Sequence, residues 1–322
     1  MIKIFGKTIN GDDLLKSQHV VLGFVIVIIA VIISILNPRF IAVTNLLSIF
    51  QQISVLGILT MTMSVLLISG NIDLSIGHSM VLSGIVMGIL VNNGVSVSMA
   101  GFVSIVVGGL CGFFNGLIVS YSRCIPLIIT LGTGQIFYGL SLTFSRGRII
   151  SFNGALDYIG KTKIFDVFPI MLFFLIFVIT ITSFMMNYTK YGRRIVAIGS
   201  NEQNAFLSGI RVLPYKISLY TIGGLFCGVA AIIFSARVDS VVAAAGGGYE
   251  TRALSAAIIG GITFDGGKGT VSGAFLGCLL MGVITNALNI LKVPTYIQTI
   301  ISGAIIVAAV VLSNINNIRR KS

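Results

Sequence analysis

The sequence has 322 residues, of which 56% are Ala, Val, Ile, Leu, Met, Phe, Trp, Tyr or Cys and 38 are Gly, so about two-thirds of the chain is apolar where a soluble domain has about half. Only 9% are Asp, Glu, Lys or Arg, too few to cover a water-facing exterior, which excludes an ordinary cytosolic globule and makes lipid the expected solvent. The net charge of +12 comes from Lys and Arg scattered in ones and twos between apolar runs, which excludes a basic stripe of the kind that binds nucleic acid.

Apolar runs bounded by polar residues, Gly or Pro predict ten segments: 19–36, 46–69, 78–91, 96–121, 126–145, 165–187, 216–236, 251–265, 269–290 and 295–313. A helix needs about 20 mostly apolar residues to cross a hydrocarbon core of roughly 30 Å. About ten spans consume most of the chain, so residues 1–322 read as one transmembrane domain with no room for a second, soluble one. The predicted fold class is all-α, a polytopic membrane helical bundle. The first segment ends Ser34-Ile35-Leu36-Asn37-Pro38, without the small residues a signal peptidase needs, and is expected to remain as a helix.

An even number of spans puts both termini on one side. With that side inside, the cytoplasmic stretches 1–18, 188–215 and 314–322, with Arg123, Lys216 and Lys268, hold 13 of the 21 Lys and Arg, against 8 in the opposite loops. That majority follows the positive-inside rule.

Ten spans divide into two halves of five, and an odd number per half requires any internal repeat to be inverted. The fourth segment carries Leu110-Cys111-Gly112 and Asn115-Gly116-Leu117, followed by Pro126 and Thr130. The ninth and tenth carry Leu280-Met281-Gly282 and Asn286-Ala287-Leu288, followed by Pro294 and Thr299. The third and eighth segments correspond under this repeat. Both are short, and short segments in matching positions of two halves point to a transport pathway.

Each short segment is approached through an acid: Asp73 in Gly70-Asn71-Ile72-Asp73-Leu74-Ser75-Ile76-Gly77, and Glu250 after Gly246-Gly247-Gly248-Tyr249. An acid at a helix N-terminus is favoured by the helix dipole by about 0.3–1 kcal/mol, so capping of a broken helix is the preferred reading and direct solute contact the alternative. Asn71, Asp73, Ser75, Asn115, Glu250 and Asn286 are the candidate pathway or helix-break residues.

Catalytic chemistry is not expected. Gly266-Gly267-Lys268-Gly269-Thr270 lacks the Ser or Thr directly after Lys that a phosphate-binding loop uses for magnesium, and reads as a tight turn. There is no Gly-x-Ser-x-Gly and no His-Glu-x-x-His. Cys111, Cys124, Cys227 and Cys278 form no Cys-x-x-Cys pair and read as small hydrophobes, and His19 and His78 read as interfacial, so no metal site is expected. Every Asp and Glu falls at a segment end or in a loop, whereas a gradient-driven carrier buries ionisable groups within its spans. Energy is therefore expected from another subunit.

The long basic loop from Lys190 to Ile210 is where such a subunit would dock. Asn201 can cap a helix whose first turn holds Glu202, and Gly209 can end it after about two turns. Phe206 and Ile210, four apart, are expected to share one packed face with Ala205 close by.

Three blocks resemble one family, the membrane permeases of ribose-type ABC importers for monosaccharides: Gly70 to Gly77; Tyr191-Gly192-Arg193-Arg194 through Gly199-Ser200-Asn201-Glu202 to Ser208-Gly209-Ile210; and Gly248-Tyr249-Glu250 with Ala256 to Gly261 and Gly266 to Thr270. Their order and the span count agree over nearly the whole chain. The resemblance implies a bacterial inner-membrane permease that pairs with itself or a sister permease. It also implies two ATP-binding subunits that hold ATP and magnesium inside, and a solute-binding protein outside; the chain itself binds no cofactor.

The resemblance further implies that Glu202 to Ile210 forms the coupling helix, so Arg193, Arg194, Asn201, Glu202, Ala205, Phe206, Gly209 and Ile210 are the candidate coupling residues. ATP-driven alternating access is the expected mechanism. A nucleoside or a furanose-like signal molecule is an alternative cargo to a sugar, and a gradient-driven carrier or passive channel is the rival class. Thr251-Arg252-Ala253-Leu254-Ser255 departs from the Leu-Asp-Ala-Ile-Ala-like run more usual after that Glu, and adds a charge at the expected outer mouth.

Overall fold

The computed structural model describes the backbone of residues 2–4, 7–9, 18–122, 124–164 and 168–321, and side-chain surroundings between 18 and 308 and at Val311, apart from 123 and 165–167. Arg123, most of the predicted 1–18 stretch, the start of the predicted 165–187 segment and the side chains of the 314–322 tail lie outside the described residues.

In chain order the elements are β1 (Ile2–Ile4) and β2 (Lys7–Ile9), then α1 (Gln18–Leu36), α2 (Val43–Ile68), α3 (Ile76–Asn92), α4 (Val97–Ser122) and α5 (Pro126–Ser145). Next come β3 (Ile150–Ser151), α6 (Asp157–Lys161), β4 (Lys163–Ile164), β5 (Phe168–Pro169), α7 (Ile170–Tyr188), α8 (Lys190–Ser200), α9 (Glu202–Leu207) and α10 (Val212–Val238). The last are β6 (Ser240–Val241), α11 (Tyr249–Ile259), α12 (Val271–Ile290) and α13 (Thr295–Lys321). The strands make three two-residue-wide or three-residue-wide antiparallel ladders, β1 with β2, β3 with β6 and β4 with β5.

Each of the ten predicted segments contains a helix. Seven of them, α1, α2, α4, α5, α7, α10 and α12, are long and apolar enough to cross a membrane, while α3 and the Thr295–Ala308 part of α13 are apolar but shorter. The third and eighth segments are indeed short, with 17 residues in α3 and 11 in α11. The eighth helix ends at Ile259 and not at 265 as predicted, because Gly261 adopts a positive φ of 93° and turns the chain.

Helix α2 is the axis of the bundle, with 89% of its apolar window buried against α7, α10, α11 and α12. Its interior hydroxyls are satisfied within the helix: Thr60 Oγ1 donates to the Leu56 carbonyl at 2.8 Å and Ser64 Oγ to that of Met61 at 2.8 Å. Helix α1 is the opposite case, only 11% buried, with Phe24, Val27, Ile28 and Val31 turned outward. A helix apolar all round and open to the outside is at rest only in lipid.

The packing has an internal correspondence. Helix α4 packs on α10 and α3, and α5 on α3; α12 packs on α2 and α11, and α13 on α11. The closest of these contacts is made by glycine. A side chain at Gly112 would run into the Tyr220 carbonyl, and one at Gly108 into the Gly224 carbonyl, so the Gly-rich faces of α4 and α10 meet each other.

Cys111, Cys227 and Cys278 are buried, but Cys124 is exposed in the connection after α4. His78 is half-buried, its ring 5.4 Å from that of Tyr138.

Candidate functional site

The chain between α2 and α3 is unwound, and its free backbone groups are met by side chains from two other helices, while a third holds its side chains. Tyr220 of α10 donates its hydroxyl to the Ile72 carbonyl at 2.9 Å, and the Leu74 N–H donates to Thr130 Oγ1 of α5 at 3.1 Å. Asp73 Oδ1 accepts from the Ser75 N–H at 2.8 Å and from the Ser75 hydroxyl at 2.6 Å. From α4, Asn115 Nδ2 donates to Ser75 Oγ at 2.7 Å and lies 3.3 Å from both carboxylate oxygens of Asp73. Asn71, Asp73, Ser75 and Asn115 are all buried. Backbone without helical hydrogen bonds survives at membrane depth only when protein satisfies it in this way.

The stretch before α11 crosses the start of α3. A side chain on Gly77 would collide with the Gly246 carbonyl, and one on Gly246 with that of Gly77. Glu250, in the first turn of α11, accepts the Gly248 N–H on Oε1 at 3.0 Å, while its Oε2 is buried without a hydrogen-bond partner and faces Gly77. His78 Nδ1, one residue on from Gly77, is also buried and unpartnered. Among the pathway candidates, the fold therefore brings Asp73, Ser75 and Asn115 into one cluster and sets Glu250 beside the start of the same helix. Asn286 stands apart: it exchanges two side-chain hydrogen bonds of 2.9 Å with Asn45 of α2. The predicted counterpart of Asn115 has a different partner.

The loop after α7 is a built structure. Thr189 Oγ1 caps α8 by accepting the Gly192 N–H at 3.2 Å, and Asn201 Oδ1 caps α9 by accepting the Asn204 N–H at 2.8 Å. Gly209, at φ 82°, closes α9, and the Ile210 N–H returns to the Ala205 carbonyl at 3.1 Å. Glu202 pairs with Lys216 at 2.5 Å. Arg193 is exposed, and Arg194 donates to the Tyr215 hydroxyl while lying over its ring.

The expectation that Phe206 and Ile210 share a packed face is wrong. Ala205 and Ile210 pack with Ile198 and Val212, whereas Phe206 is 67% and Leu207 75% exposed. The helix stops after six residues, so Ile210 lies beyond the glycine turn and the i, i+4 relation does not apply.

The far end of α8 reaches the unwound stretch. Gly199 leaves no room for a side chain against the Ile68 carbonyl, and the Gly267 N–H donates to that same carbonyl at 2.8 Å. The predicted turn around Lys268 thus ties α8, the end of α2 and the end of α11 together.

Residues 45–310 match the model of a family described as branched-chain amino acid transport system / permease component. The chain belongs to this family. The permease is similar to the ribose import permease protein of Bacillus subtilis (strain 168), 32% identical over 95% of each chain. It is also similar to the D-allose transport system permease protein of Escherichia coli (strain K12), 36% identical over 91% of this chain and 90% of that one. The L-arabinose ABC transporter permease protein of Azospirillum brasilense is 28% identical over 96% of this chain and 91% of that one. The resemblance read from the three blocks is thus upheld. No solved structure matches the sequence.

Sequence reasoning missed two parts of the permease. Helix α8 falls within the stretch expected as loop, although Tyr191, Ile195 and Ile198 recur at helical spacing behind a Thr cap. The clamp residues Tyr220 and Thr130 carry no local signal for that role, because their partner carbonyl and amide are more than fifty residues away.

Proposed function

We propose that the permease is the membrane subunit of an ATP-binding-cassette importer that carries a monosaccharide or related small polar solute inward by alternating access. The names of its relatives support the solute class. One observation carries the coupling role: α9 is anchored by Ala205 on one side and presents Phe206 and Leu207, both large and apolar, to the outside. Such a tip on a basic loop suits a cleft in a partner ATPase, which would supply ATP and magnesium.

In this reading α3, α11 and α13 complete ten spans, both termini are cytoplasmic, and α8–α9 face the cytoplasm of a bacterial inner membrane. The two halves are inverted copies, for which the matched pairs α4 on α10 and α12 on α2, and α3 on α4 and α11 on α12, give support. The copies pair α2 with α10, α3 with α11, α4 with α12 and α5 with α13.

The working unit is two permease chains, identical or sister, with two ATPase subunits and an external solute-binding protein. Asp73 and the amide nitrogen of Asn115, engaged with each other and with Ser75, hold the break, while Glu250 and His78, each with a free polar atom at the crossing of the two short segments, face the pathway. Closure of the ATPases would press α9, pass through Gly199 to the end of α2, and shift the Asn71–Ser75 stretch.

The test is to tag the permease at native expression, solubilise gently, identify co-purifying proteins by mass spectrometry and assay ATP hydrolysis. A nucleotide-binding subunit with ATPase activity is expected. An ATPase-free preparation that still takes up solute in vesicles along a proton or sodium gradient would overturn the reading.

A further inference from the structure

At the end of the bundle opposite α8–α9, a cavity of about 240 Å³ opens between α2, α10, α11, α12 and the start of α13. Two guanidinium groups line it, Arg237 from the last turn of α10 and Arg252 from the first turn of α11, with Tyr249 between them in sequence and Arg252 lying 6.0 Å from its ring centre. Gln52 of α2 and the amides of Asn289 and Gln298 complete the polar wall, the last two joined by a hydrogen bond of 3.0 Å.

Among the described residues, neither arginine has a counter-ion. The ion pairs among the described residues are Lys161 with Asp157 and Lys216 with Glu202. The acids nearest in sequence are committed elsewhere: Asp239 accepts the Gly154 N–H at 3.0 Å, and Glu250 accepts the Gly248 N–H and turns its free oxygen toward Gly77. Arg237 is exposed at the rim of the cavity and Arg252 is half-buried. Two guanidinium groups on one small cavity, with no carboxylate among the described residues that line it, repel each other until an anion arrives.

We infer that this cavity binds a small polyol bearing one phosphate or carboxylate, the anion held by Arg237 and Arg252 and the hydroxyls by the amide wall. The guanidinium fork matches a phosphate or carboxylate in two parallel hydrogen bonds, which a neutral hydroxyl group cannot use. The volume lies just under the range of about 300–1,000 Å³ typical of drug-sized sites, which suits a sugar-sized ligand. The same chemistry has two sources, a soluble sugar phosphate or sugar acid and the glycerol phosphate headgroup of phosphatidylglycerol. In its soluble form the inference rests on the importer reading and narrows its solute to an anionic one.

The test uses the full chain in nanodiscs made only of phosphatidylcholine, titrated with D-ribose 5-phosphate, D-ribonate and D-ribose. At least tenfold tighter binding of the two anions than of ribose is expected, with a tenfold or greater loss in Arg237→Gln and Arg252→Gln and partial retention in Arg252→Lys. Unliganded melting temperatures, and the charge-retaining Arg252→Lys, separate lost binding from lost folding. In a second arm, native mass spectrometry on chain extracted from phosphatidylglycerol-containing membranes reads retained lipid. Arginine-dependent lipid retention without soluble binding assigns the site to the headgroup; arginine-dependent soluble binding assigns it to a solute. Equal binding of ribose and ribose 5-phosphate, or anion and lipid binding untouched by both Gln variants, overturns the inference. No ATPase enters this assay, so its failure leaves the importer reading standing, and failure of the co-purification leaves the cavity's anion binding standing.

Discussion

Asn115 holds Asp73 across the break between α2 and α3: its amide nitrogen lies 3.3 Å from both carboxylate oxygens and 2.7 Å from the Ser75 hydroxyl that shares them. The contact spans two helices of the bundle and fixes the one stretch of buried backbone that α3 needs in order to start where it does. Several properties of the molecule depend on whether such contacts can be kept.

Replacing Asn115 with Leu removes a buried donor from a buried carboxylate and hydroxyl, leaving both short of a partner. A loss of about 1–3 kcal/mol is expected, the range for an unsatisfied buried polar group. Denaturant unfolding of the variant in detergent, compared with wild type, measures it, and an unchanged midpoint would remove Asn115 from its place in the break.

Gly112→Ala puts a methyl group against the Tyr220 carbonyl where α4 and α10 touch, and neither backbone can yield without moving a helix. Overpacking of this kind costs about 1–3 kcal/mol. Gly139→Ala, by contrast, meets nothing within 4 Å and is expected to stay within about 0.5 kcal/mol of wild type, as surface changes do. Melting temperatures from fluorescence-detected gel filtration compare the two.

Phe206→Asp leaves the permease folded, since the side chain is 67% exposed, but is expected to abolish ATP-dependent uptake and its coupling to hydrolysis. Ala205→Asp, four per cent exposed and packed on Ile198 and Val212, is expected to reduce folded yield instead. Uptake and ATPase assays in proteoliposomes separate these outcomes. Full transport by the Phe206 variant would refute the coupling role of α9.

Tyr191, on α8, is buried and shares a hydrogen bond of 2.8 Å with Ser218. Burial, the larger effect, holds its phenol above the usual tyrosine range of about 10. The folded state therefore keeps a proton that the unfolded state loses, and stability falls as pH rises past about 10. Tyr191→Phe is expected to flatten that alkaline decline while losing about 1 kcal/mol at neutral pH with the hydrogen bond. Unfolding midpoints between pH 8 and 11 follow it.

Read along the chain, the amino acids settle what depends on neighbours. Lipid as solvent follows from the apolar share and the 9% of charged residues. The short third and eighth helices are legible in Gly70 to Gly77 and Gly246 to Gly248, and α9 in the pairing of an Asn201 cap with a Gly209 stop, because helix ends are made by residues within a turn of them.

What lay out of reach is which face of each helix meets which. In water an apolar stripe marks the buried side; in lipid the outward side is apolar as well, so the periodicity that would orient a helix is absent. The outward side of Phe206 is hidden for a related reason, since six residues make too short a helix to carry a pattern. Only the tertiary structure set Gly112 against Tyr220, Tyr220 against Ile72, and Arg237 beside Arg252 on one cavity, because those meetings are decided by the close packing of helices distant in sequence.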